Sequence, residues 1–67
     1  MIDDQDIWRA ADLMVKRHGR DAKIAAAQLA DQLLAEGDFT GVAVWLRIVA
    51  AIEDLQSTAP QPGEPLQ

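Results

Sequence analysis

The chain has 67 residues, no cysteine, one histidine and a net charge of −5. That length allows one domain, and the missing cysteines exclude a disulfide scaffold and any thiolate metal site. A single core of this size supplies roughly 3–5 kcal/mol, so close helix packing or a partner subunit must stabilise the fold.

The first element is predicted over about residues 4–18. Asp3 or Asp4 caps it, Asp6 adds negative charge where the helix dipole favours it, and Gly19 ends it in the positive-φ region. On a helical wheel Ile7, Trp8, Ala11, Met14, Val15 and His18 share one face, whereas Leu13 lies off it and is expected to be exposed. Asp12 and Lys16 form a favourably oriented i,i+4 pair. His18 reads as a helix-end residue stabilised by the dipole, with a pH switch as the sharper alternative. Trp8, at the edge of the face, reads as either a core anchor or an interface residue.

The second helix is expected over about residues 22–36, capped by Asp21 and closed by Gly37. Ala26, Leu29, Ala30, Leu33 and Leu34 make its apolar stripe. Gly37 is followed at once by a new N-cap, Asp38, so the second and third helices must fold back as an αα-hairpin. Gly41 in the first turn of the third helix is costly against Ala and suggests close contact with the second.

The third helix, about residues 39–56, is the unusual one. Residues 42–52 include ten apolar side chains and one charge, Arg47. Its bulky members cover roughly 200° of the wheel, whereas a surface helix needs an apolar stripe of about 100°. Trp45 and Ile52 belong at the covered centre. One flank is then spare, either Val44, Ile48, Ala51 and Leu55 or Val42, Leu46 and Val49. The first is preferred, because Ala51 extends a smooth surface and Glu53 borders the second. Arg47 is expected to face solvent, with pairing to Glu53 or Asp54 across a dimer as the alternative. Residues 57–67 contain three prolines and almost nothing to bury, and are expected to form a disordered tail.

The fold class implied is all-α. One domain over residues 1–56 forms a three-helix bundle, its second and third helices making the hairpin. The strings Ile7-Trp8-Arg9-Ala10-Ala11, Arg17-His18-Gly19-Arg20-Asp21-Ala22, Ala30-Asp31-Gln32-Leu33-Leu34, Gly37-Asp38, Ala43-Val44-Trp45 and Ala51-Ile52-Glu53-Asp54-Leu55-Gln56 resemble a family of short bacterial helical proteins of unknown function. The resemblance covers about residues 7–56. It implies a free-standing helical protein with no assigned activity, so no functional residue carries over. The hairpin alone is similar to a tetratricopeptide repeat at Leu29-Ala30, Leu33 and Gly37-Asp38-Phe39. Val42 and Val49 stand where that repeat takes small residues, however, and no second copy follows.

Chemistry is sparse. Catalysis needs convergent groups, and the only hydroxyls are Thr40, Ser57 and Thr58. No Gly-rich phosphate loop or metal-spaced ligand set is present. The expectation is a non-catalytic protein with no cofactor, no metal and no small-molecule substrate. The acidic amino end is the reverse of a signal peptide's basic start, and residues 42–52 are too few to span a bilayer, which needs about 20. A cytoplasmic protein without membrane contact is expected.

Three functional readings follow. The first is an interaction module, self-associating as a homodimer or docking another helical protein through Val44, Ile48, Ala51 and Leu55, with Trp8. The second is a small acidic regulator or inhibitor, antitoxin-like or phage-defence-related, whose Asp3, Asp4 and Asp6 engage a basic partner. The third is an anion or nucleic-acid contact at Lys16, Arg17, Arg20 and Lys23. Residues 16–23 carry a local charge of +3, which leaves −8 for the rest. The overall acidity and the absence of interleaved aromatics argue against long nucleic acid.

Overall fold

In the computed structural model, which describes residues 3–57, the chain is all-α. Helix α1 spans Asp4–His18, a 3-10 turn spans Gly19–Asp21, α2 spans Ala22–Ala35 and α3 spans Phe39–Ser57. Among the described residues there is no strand. No described helix is long and apolar enough to cross a membrane. Ser57 closes α3, and the expected tail beyond it lies outside the described residues.

The expectation of three separate helices needs correcting at the first junction. Gly19 takes φ 58 and ψ −128, where a side chain would be strained, and its N–H still donates to the Val15 carbonyl. Its own carbonyl accepts the Ala22 N–H, so hydrogen bonding runs through the bend. The segment from Asp4 to Ala35 is therefore one long bent helical arm, and α3 folds back on it. Asp21 stands at the start of α2, but its carboxylate makes no capping bond there, because the 3-10 turn already serves the first amides.

The second junction is a tight reversal. Gly37 (φ 80) donates to the Leu34 carbonyl and Asp38 to the Leu33 carbonyl, the paired bonds of a Schellman motif. The Asp38 carbonyl then accepts the Val42 N–H, and its carboxylate Oδ1 accepts the Gly41 N–H at 2.9 Å. One residue thus closes α2 and caps α3.

Each helix buries three residues: Ile7, Ala11 and Met14 from α1, Ala22, Ala26 and Ala30 from α2, and Ile48, Ala51 and Ile52 from α3. Five of these nine are alanines, so the helices approach closely but remove little apolar area from water. Val15, Val44, Trp45, Val49 and Leu55 pack around the cluster half-buried. Leu29 and Leu34, expected in the buried stripe of α2, are exposed, because the alanine ridge makes the contact with α3. Trp8 and His18 also lie outside the core, whereas Leu13 is exposed as its wheel position required.

Candidate functional site

Helix α3 carries two rows of apolar residues at 3-4-3 spacing. The inward seam is Trp45, Ile48, Ile52 and Leu55, and the arm of α1 and α2 covers it. The outward seam is Phe39, Val42 and Leu46, and Val49, the next residue at that spacing, packs against the core. Phe39 is 70% exposed and Leu46 55% exposed, while Val42 and Val49 are half-buried.

This arrangement reverses the expected spare edge. Ile48 and Ala51 are only 3% and 5% exposed, and Val44 and Leu55 pack against the core. Ala51 marks close approach by α1, which brings Ile7 and Trp8 to the same groove as Ala50 and Ala51. On the opposite flank Glu53 is matched within the chain by Lys23 Nζ at 3.6 Å. The charge that seemed to spoil that flank is the end of an intramolecular pair.

Trp8 is 43% exposed and lines an open groove of about 300 Å³ between α1 and α3, with Asp4, Ile7, Arg47, Ala50, Ala51 and Asp54. Across it Arg47 Nη2 lies 2.6 Å from Asp4 Oδ1. Arg47 faces solvent as expected, but its partner is the first turn of α1 and not Glu53 or Asp54. Asp4 is accordingly engaged within the chain, while Asp3 and Asp6 are exposed.

At the basic turn the four cations separate into two kinds. Lys16 Nζ lies 2.9 Å from Asp12 Oδ2, and Lys23 is held by Glu53. The carboxylate of Asp12, through its hydrogen bond and then its charge, raises the Lys16 amine above the ordinary lysine range. Arg17 and Arg20 are exposed and, among the described residues, in no ion pair. The backbone at the bend is already used: the Gly19 carbonyl accepts the Gln56 Nε2–H at 2.9 Å as well as the Ala22 amide. Among the described residues no group of three or more His, Asp or Glu side chains is placed to hold a metal ion.

Residues 3–59 match the model of a family described as a family of unknown function (DUF6961). Among curated proteins and among solved structures nothing matches the chain.

Proposed function

The chain belongs to this family of unknown function, DUF6961, and from its architecture we propose a non-catalytic protein-interaction module. It is a small all-α fold, with α3 folded back on the bent arm of α1 and α2 and self-associating through the outward seam of α3. The supporting observation is an inversion of the usual distribution. Among the described residues seven large apolar side chains are exposed, Trp8, Leu13, Ile24, Leu29, Leu34, Phe39 and Leu46, whereas the buried core has four, Ile7, Met14, Ile48 and Ile52. Scattered exposed leucines need no explanation, but Phe39, Val42 and Leu46 share one helical face with Val49. An alanine-rich core in so short a chain leaves stability to be supplied by a second molecule.

Neither alternative reading has a specific observation in its favour. The acidic-regulator reading finds Asp4 committed to Arg47, and the anion reading finds two of its four cations committed to carboxylates.

The test is a light-scattering concentration series on the wild type and on Leu46→Glu, with helix content followed by circular dichroism. The wild type should self-associate in the micromolar range, and Leu46→Glu should be monomeric with its helices retained. A wild type that stays monomeric at high micromolar concentration, or a Leu46→Glu variant that associates unchanged, overturns the proposal.

A further inference from the structure

We propose that α1 is an exchangeable arm hinged at Gly19. In the single chain it is closed on its own α3. When the bend straightens, it seats on α3 of a second copy and gives a swapped dimer. This goes beyond self-association through the outward seam and uses none of that seam's residues.

The hinge is a single residue. Between Asp4 and Ala35 the chain has no proline, and Gly19 alone has positive φ. His18 before it and Ala22 after it already take right-handed helical angles. Turning Gly19 into that region, with a small adjustment at Asp21 (φ −89, ψ 2), joins α1 and α2 into one straight helix. Two groups left idle by the bend then meet. Arg17, in no ion pair among the described residues, falls four residues before Asp21, whose carboxylate makes no capping bond. Lys16 and Arg20 share that spacing, but Asp12 already neutralises Lys16.

The bend is latched from the end of α3. Gln56 Nε2–H donates to the Gly19 carbonyl at 2.9 Å and fixes it in the bent orientation. In a straight helix the same carbonyl points along the axis to the Lys23 amide. The latch is one exposed hydrogen bond, which water can replace at little cost.

Helix direction makes the exchange possible. Helix α1 runs beside α3 in the same direction, with Asp4 at Arg47 and Gly19 at Gln56, whereas α2 runs oppositely, with Lys23 at Glu53. A straightened arm therefore carries α1 past the C-terminal end of its own α3. A second copy, related by a two-fold axis at the bend, presents its α3 there, parallel to the incoming α1. Ile7, Ala11 and Met14 then complete with Ile52 of the partner subunit the cluster that they complete within the closed chain. The buried contacts are kept and no new complementary surface is needed, which is why arm exchange is a low-cost route to a dimer.

Gly19→Ala reads the hinge. A Cβ on residue 19 meets nothing within 4 Å, so it acts through the backbone alone, strained in the bend and favourable in a helix. The change is made in the full chain carrying Leu46→Glu, which removes the outward seam, and is compared with Leu46→Glu alone by light scattering. At micromolar concentration Leu46→Glu alone should stay closed and monomeric. Adding Gly19→Ala should lower the dimer dissociation constant roughly tenfold or more with helix content kept. In dimers assembled from labelled and unlabelled chains, isotope-filtered NMR should place the Ile7 and Met14 methyls against Ile52 of the partner subunit. If Gly19→Ala loses helix content, Gln56→Ala, which releases the latch and leaves the buried cluster intact, carries the same test. A folded chain that stays monomeric to millimolar concentration, or a dimer in which those contacts remain within one chain, overturns the exchange and leaves the outward-seam reading standing.

Discussion

Asp38 and Gly41 form a single device. The Gly41 amide donates to Asp38 Oδ1 at 2.9 Å, and a Cβ on residue 41 would lie 2.7 Å from Asp38 Oδ2 and 2.9 Å from Leu33 Cδ1. The glycine is required by the cap that it helps to satisfy, which is why a residue with poor helix propensity stands in the first turn of α3.

The two substitutions should therefore be strongly non-additive. Asp38→Ala is expected to cost about 1 kcal/mol as a lost N-cap. Gly41→Ala alone should also destabilise, since pushing the carboxylate aside outweighs a propensity gain of up to about 1 kcal/mol. In the Asp38→Ala background the same Gly41→Ala change should turn neutral or stabilising, because only the flexible end of Leu33 remains in the way. Urea denaturation of the four proteins measures this, and simple additivity would contradict the geometry.

Among the described residues Ile52 is the one large side chain that is fully buried, so Ile52→Ala should cost about 2–5 kcal/mol and leave little folded protein in a chain this small. Leu13→Ala, at an exposed site on α1, should change stability by no more than about 0.5 kcal/mol. Thermal melts of both variants at one protein concentration separate the core from the surface.

The Arg47–Asp4 contact joins α3 to the start of α1 but is open to water on both sides, with side-chain exposures of 53% and 82%. A double-mutant cycle with Arg47→Ala and Asp4→Ala should give a coupling of about 1 kcal/mol or less. That coupling should fade by about 1 M salt, where screening acts within some 3 Å. A larger, salt-insensitive coupling would mean that the groove is covered in solution.

Asp12 raises the Lys16 amine, so its NMR titration should lie above that of an ordinary exposed lysine and return toward it in Asp12→Asn. A raised folded-state value means that this contribution is fully present below the ordinary lysine value. It is lost only as the pH climbs through the folded one. The pair is fully solvated, so the effect should appear in the titration and scarcely in stability.

Much of the fold was legible along the chain. Helix boundaries followed from local chemistry: Gly19 and Gly37 take positive φ, Asp38 caps α3, and the helices end within a residue of where these signals place them. Asp12 and Lys16 pair as their spacing requires, because an i,i+4 contact depends on one helix alone.

Which side of α3 stayed open was decided only in three dimensions. Wheel geometry ranks positions around one helix but is silent on the direction from which its neighbours come. Ala51 resembled free surface and proved to be a point of close approach, because a small side chain is what lets α1 come near. Glu53 resembled a polar border and proved to be the partner of Lys23, thirty residues away in the chain. Leu29 and Leu34 lost their places in the core to Ala22, Ala26 and Ala30 for the same reason: the packing distance between helices is a property of the pair. Local sequence determined where the helices begin and end; tertiary packing determined which faces they bury, and left Phe39 and Leu46 exposed on the outward side of α3.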